Sequence, residues 1–127
     1  MISVLIVEDQ AILRESLARS IADQPDMTVA AAIADASCAL DVVREQRPDM
    51  ILMDVQMPVM NGYEATEAIR RSSHEQAKTI PIIAMTANAF SDDIHHSLTV
   101  GMNAHISKPV EMKVLEKTIS SIKFGGG

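Results

Sequence analysis

The chain of 127 residues has a single cysteine, Cys38, so it cannot form an internal disulfide. That excludes a disulfide-stapled secreted scaffold and fits a reducing compartment. Its four histidines and one cysteine are too dispersed for a zinc-finger spacing. No apolar run approaches the ~18 residues that a membrane-spanning helix needs. Met1-Ile2-Ser3 lacks the positive flank of a secretory leader. There is no G-x-x-x-x-G-K-S/T loop and no dinucleotide fingerprint, which removes the common nucleotide-binding folds. Positive charge is also scarce, with 11 Lys and Arg against 17 Asp and Glu and a net charge of -6. That balance offers no basis for direct nucleic-acid contact. The expectation is a soluble cytoplasmic domain with no membrane insertion.

What the chain does have is 47% apolar residues, enough for one buried core at the length of one domain. Ile2 to Val7 is an apolar run without alternation, which reads as a strand buried on both faces. Ile12, Leu13, Leu17 and Ile21 then recur at helical spacing before Pro25. A second run covers Thr28 to Ile33. Asp35 or Ser37 can cap the next helix, in which Ala36, Leu40 and Val43 share a face until Pro48. Met50 to Met53 is the third run, and Tyr63 to Arg71 the third helical pattern. Ile80 to Met85 is the fourth run, with Pro81 at its tolerable start. Phe90, Ile94 and Leu98 mark a helix stopped by Gly101. Ala104 to Ser107 is a fifth strand, and Met112, Leu115, Ile119 and Ile122 stripe a last helix. Five alternations of strand and helix predict an α/β fold, a doubly wound five-stranded parallel sheet. Residues 1–123 form that domain, and residues 124–127 a flexible glycine-rich tail.

Ligands in open α/β sheets bind beyond the carboxyl ends of the strands. Glu8 and Asp9 follow the first strand, Asp54 the third, Thr86 and Ala87 the fourth, and Lys108 the fifth. Three clustered carboxylates repel one another, and a hard divalent cation relieves this. Oxygen ligands favour Mg²⁺, with Mn²⁺ as the alternative. Asp9 and Asp54 are the expected direct ligands, Glu8 acts through water, and the backbone carbonyl of Gln56 completes the protein's share. A carboxylate beside such a cation is a nucleophile toward phosphorus. Asp54 is the candidate, on the central strand. Lys108 and the Thr86 hydroxyl supply charge and a donor, and N–H groups at Val55 and Ala87 hold the remaining oxygens.

Val7-Glu8-Asp9, the run Met53-Asp54-Val55-Gln56-Met57-Pro58-Val59-Met60-Asn61-Gly62, Met85-Thr86-Ala87 and Lys108-Pro109 together resemble the receiver domain of two-component response regulators. The resemblance spans about residues 2 to 123. The first half resembles receivers of regulators with a helix-turn-helix output, and Thr86 to Pro109 those attached to hybrid sensor kinases. It implies a flavodoxin-like (βα)5 sheet of order 2-1-3-4-5. It further implies that Asp54 accepts a phosphoryl group from a histidine kinase or a histidine phosphotransfer protein, and that the acyl phosphate is later hydrolysed with the domain's own help. Thr86 corresponds to the switch hydroxyl. His105 stands where the family often has an aromatic switch residue, and it brings a flat ring with a polar edge. Phosphorylation-dependent self-association or an output partner follows from the same resemblance.

Two other classes share the fold. One is a non-phosphorylated interaction module, because fold does not fix function. The other is a Mg²⁺-dependent phosphohydrolase, which lacks here both a substrate-enclosing cap and a second acid two residues after Asp54, where Gln56 stands. Elsewhere, Cys38 reads as a buried or half-buried helix residue and Met60 and Met102 as less buried methionines. Arg70 and Arg71 read as a solvated helix face, residues 72–79 as a polar exposed link, and Gly62 as a position needing a backbone conformation closed to other residues.

Overall fold

The computed structural model describes residues 2–55, 62–72, 75–86, 99–108 and 110–122. Its elements are β1 (Ile2–Val7), α1 (Ala11–Ala22), β2 (Met27–Ile33), a short 3-10 turn (Ala36–Cys38), α2 (Ala39–Gln46), β3 (Met50–Asp54), α3 (Gly62–Arg71), α4 (Glu75–Thr79), β4 (Ile82–Thr86), β5 (Ala104–Ser107) and α5 (Met112–Ser121). The five strands form one sheet in the order β2-β1-β3-β4-β5, and every pairing is parallel. The expected fold class and strand order are therefore both observed.

Strand periodicity explains the two cores. Successive side chains on a strand point to opposite faces. Val4, Ile6, Met50, Leu52, Ile83, Met85 and Ile106 point to one face and pack with Leu17 and Ile21 of α1 and Leu115 and Ile119 of α5. Leu5, Val7, Ile51, Met53, Ile82 and Ala84 point to the other and pack with Val43 of α2 and Ala65 and Ile69 of α3. Inner strands bury both sets of side chains, so β3 and β4 are buried throughout. That is why these runs do not alternate in sequence. Pro81 lacks an N–H, so β4 begins at Ile82, yet the Pro81 carbonyl still accepts from the Ile51 N–H at 2.9 Å. The Asp35 carboxylate caps the 3-10 turn through the Ser37 N–H at 2.9 Å.

Four readings of the sequence are corrected. The link after α3 is not simply exposed. It contains α4, whose Ala77 is fully buried, followed by Ile80 at 2% exposure, and Ser72 is also buried. Met102 is buried, because the chain turns inward just after Gly101, whose φ is +109°. Cys38 is exposed, while Ala36 and Ala39 on either side of it take the inward positions. Arg70 is not a solvated residue. Its Nε and Nη2 donate to the Gly101 carbonyl at 3.1 and 2.8 Å, Nη1 to the Ala77 carbonyl at 3.0 Å, and Nη2 to Asn103 Oδ1 at 3.0 Å. Asn103 Oδ1 also accepts from the Ile82 N–H at 2.9 Å, so one guanidinium joins α3, α4 and the lead-in to β5. Burial lowers the pKa of that guanidinium. Arg71 does lie on an exposed face, beside Glu67 at 3.2 Å. The stripe of Phe90, Ile94 and Leu98, Met60 and the tail at 124–127 lie outside the described residues. Thr99 and Val100 are helical and end at Gly101 as expected.

Replacing Arg70 by Ala removes the partners of two backbone carbonyls and is expected to cost about 2–3 kcal/mol in chemical denaturation. Arg70→Lys recovers only part of this, because an ammonium lacks the planar fork. Arg71→Ala, which breaks an exposed pair, is expected to cost no more than about 0.5 kcal/mol.

Candidate functional site

The same strand periodicity builds the site. Glu8 follows Ile6, Asp54 follows Leu52 and Lys108 follows Ile106, each two residues on, so all three continue one sheet face at its carboxyl edge. Parallel register brings them level, since Val7 pairs with Met53 and Asp54 with Met85. Lys108 Nζ lies 2.8 Å from Glu8 Oε1 and 3.2 Å from Asp54 Oδ2. Glu8 is fully buried and Asp54 2% exposed, so this ammonium compensates charges that water scarcely reaches. The Lys108 backbone is itself tied to the next strand, its N–H donating to the Thr86 carbonyl at 2.8 Å.

The acid-bearing loop is equally ordered. The Glu8 N–H donates to Ile33 O at 3.0 Å, and Glu8 Oε2 accepts from the Gln10 N–H at 3.2 Å. Gln10 caps α1 without a side-chain hydrogen bond, so a carboxylate sits at the helix start, where negative charge is favoured. Arg14, half-buried on α1, donates to the Glu8 carbonyl at 2.9 Å. Asp9 lies nearer solvent than Glu8. Glu8, Asp9 and Asp54 each offer an oxygen, and these oxygens lie within 4.8 Å of one another. Three carboxylates face one ammonium, so the cluster stays net negative. Hard oxygen donors at that spacing fit Mg²⁺, which one or two carboxylates and several waters normally hold.

Burial alone works against the charge on Lys108, but the hydrogen bonds and charges of Glu8 and Asp54 outweigh it, and its pKa is raised above the ordinary 10.5. Thr86, 4% exposed, ends β4. His105, half-buried in β5, lies opposite Ala84. Ala84 and Thr86 share a strand face, so His105 and the Thr86 hydroxyl carry the same parity, opposite to that of Lys108. His105 also opens onto a groove with Ser107, Glu111 and Val114. The Val55 N–H is engaged by the Met85 carbonyl at 3.1 Å. Gln56 and Ala87 lie outside the described residues.

One feature was read for a different reason in the sequence, and one escaped it. Gly62 does not have the positive φ that would demand glycine. It is needed for space instead: a Cβ there would come 2.5 Å from the Asp54 carbonyl oxygen and 2.9 Å from Met53 Cγ and Val55 Cα. Its N–H donates to Val55 O at 3.2 Å, pressing the start of α3 onto the strand that carries Asp54. Arg14 was missed because its contact folds back along the chain. The only sequence signal was an arginine in the first turns of a helix that follows an acidic pair.

Comparison with known proteins agrees with this geometry. The family description "Response regulator receiver domain" matches residues 4–120. The chemotaxis protein CheY4 of Vibrio cholerae is 31% identical and superposes with a TM-score of 0.86 over 97% of this chain and 99% of that one. The receiver domain of a sensor histidine kinase from Pseudomonas aeruginosa, with a magnesium ion coordinated in its active-site cleft, is 33% identical with a TM-score of 0.78, covering 94% of this chain and 95% of that one. A probable histidine kinase 2 of Oryza sativa is 34% identical over 96% of this chain but only 13% of its own length. Histidine kinase 1 of Arabidopsis thaliana is 51% identical over 58% of this chain, which spans 6% of it. Among the described residues no helix is long and apolar enough to cross a membrane.

The ion pairs of Lys108 stabilise the fold fully below the ordinary lysine pKa and are lost as pH rises through the raised folded value. A side-chain NMR titration of Lys108 is expected to show a midpoint above 10.5, moving down in Asp54→Asn; a midpoint at or below the ordinary value contradicts this account. Gly62→Ala is expected to lose about 1–3 kcal/mol in thermal or chemical unfolding, the usual cost of overpacking.

Proposed function

The chain belongs to the response regulator receiver domain family, and from that premise we propose that it is a phosphoryl-accepting signalling switch in which Asp54 receives the group from a phosphohistidine of a histidine kinase or histidine phosphotransfer protein. The observation that carries the reading is the convergence of Glu8, Asp9 and Asp54 within 4.8 Å, with Lys108 bridging Glu8 and Asp54. Solvated acids at strand ends have no reason to gather around one half-buried lysine. Such a cluster costs stability unless it is compensated.

In the proposed step an Asp54 carboxylate oxygen forms a bond to phosphorus as the phosphorus–nitrogen bond of the donor breaks. The electron pair stays on the imidazole, which takes up a proton. Phosphoryl transfer is governed by alignment and charge neutralisation more than by covalent help. Asp9 and Asp54, with Glu8 through water and the Gln56 carbonyl, would hold Mg²⁺, which would supply part of that neutralisation. Lys108, kept charged by its two carboxylates, turns its ammonium to the phosphoryl oxygens. The Thr86 hydroxyl and the N–H groups of Val55 and Ala87 hold the remaining oxygens. At Val55 this contact requires the bond to Met85 to open.

The output follows from β4 and β5. Thr86 and His105 share a sheet face, so movement of the hydroxyl toward the phosphoryl group alters the space available to the His105 ring. That face then binds a partner, or a second copy of the chain, differently in the two states. A cytoplasmic location belongs to the same reading. The chain spans only a small part of the histidine kinases it matches.

Incubation with Mg²⁺ and acetyl phosphate is expected to add one phosphate-sized increment to the intact mass, labile to acid and base and absent in Asp54→Asn. If Mg²⁺ binds but neither acetyl phosphate nor a histidine-phosphorylated donor labels the chain, the site is silent and the fold is serving as a docking module.

A further inference from the structure

We infer that Arg14 is a positioning residue for the metal site, holding the backbone of Glu8 and Asp9 so that their carboxylates meet Asp54. The inference rests on the reading of this cluster as a Mg²⁺ site and adds a residue to it. β1 ends at Val7 and α1 begins at Ala11, leaving three residues to carry two carboxylates to the edge of the sheet. The Glu8 N–H is tied to Ile33, and the Gln10 N–H to the Glu8 carboxylate. The Glu8 and Asp9 carbonyls stand where the strand ladder has stopped and the helix ladder has not begun. Arg14 Nη1 serves them, at 2.9 Å from the Glu8 carbonyl and a longer 3.5 Å from that of Asp9. The Arg14 backbone N–H meanwhile donates to Gln10 O at 2.9 Å, the first bond of α1. One residue thus closes the helix start with its backbone and reaches back over the acidic pair with its side chain.

Positioning and simple charge predict opposite signs. Arg14 is cationic and near the cluster, so as a charge alone it repels Mg²⁺, and its removal would tighten metal binding. As a brace it preorganises the ligands, and its removal loosens binding. Groups that orient metal ligands typically contribute about 10–100-fold in affinity. The brace acts on backbone next to the ligands rather than on the ligands themselves, so the lower end of that range applies.

The experiment is a calorimetric Mg²⁺ titration of the wild type, Arg14→Gln and Arg14→Lys, with amide hydrogen exchange at Gln10 measured in EDTA. Arg14→Gln is expected to raise the Mg²⁺ Kd about tenfold and to speed exchange at Gln10 with no metal present. Arg14→Lys, which keeps the charge and one donor group, is expected to fall between the two. An Arg14→Gln Kd equal to or lower than that of the wild type overturns the inference. If Arg14→Gln does not fold, Arg14→Lys decides: a raised Kd with faster Gln10 exchange supports the brace, and wild-type values of both overturn it. A wild type that binds no Mg²⁺ instead overturns the underlying reading of the site, whereas a binding wild type with an indifferent Arg14→Gln overturns only the role of Arg14.

Discussion

The carboxyl edge of this sheet is organised around one electrostatic problem: two buried carboxylates and a third beside them must coexist where water is scarce. Glu8 and Asp54 are almost wholly enclosed, and Lys108 is the ammonium between them. Buried charge of one sign is unfavourable unless paired, and breaking such a pair costs more than its formation gains. The surroundings keep that lysine in place. Its N–H is bound to the carbonyl of Thr86, its strand is aligned against β4, and Asp54 is held by a strand end that the start of α3 approaches as closely as only glycine permits.

A site balanced in this way is sensitive to added charge. In the proposed reading a phosphoryl group on Asp54 offers the ammonium new oxygens, and Lys108 directly follows β5, the strand that carries His105. Thr86 joins the two, because its carbonyl anchors Lys108 while its side chain shares a face with His105. In that reading the link from chemistry to surface is short: two neighbouring strands at one end of the sheet. A histidine at this position makes the coupling more polar than a tyrosine or phenylalanine would, since both ring nitrogens need partners or water in either arrangement. Across the sheet, the acidic loop depends on a second cation, Arg14, which works through backbone carbonyls rather than carboxylates.

Much of this was legible in the order of residues. The strands were visible as apolar runs each ending in a polar or charged residue, and the first two helices as stripes ending before Pro25 and Pro48. The acids at Glu8, Asp9 and Asp54 and the lysine at Lys108 were visible because ligand groups in parallel sheets follow strand ends. The misreadings share a cause. Arg70 looked like a surface residue because charge and helical position suggest solvent, yet three carbonyl and amide oxygens from other segments surround it. Met102 and Ala77 are buried by what packs over them. Gly62 was read as a conformational requirement, when the constraint is the proximity of Asp54.

The sequence by itself determined the alternation of strand and helix, the parallel sheet, the family and the set of chemically able residues at one edge. These follow from local periodicity and from the types of residue that end each run, and both can be read within a few positions of the chain. Only the tertiary structure decided that Glu8, Asp54 and Lys108 share a sheet face while Thr86 and His105 share the other, that one lysine bridges two particular carboxylates, and that the Arg14 side chain reaches back to the carbonyls of the acidic loop. Those facts depend on register between strands distant in sequence and on the direction of each side chain within a few tenths of an ångström. Register is set by the packing of both faces of the sheet at once, which no local stretch of residues contains.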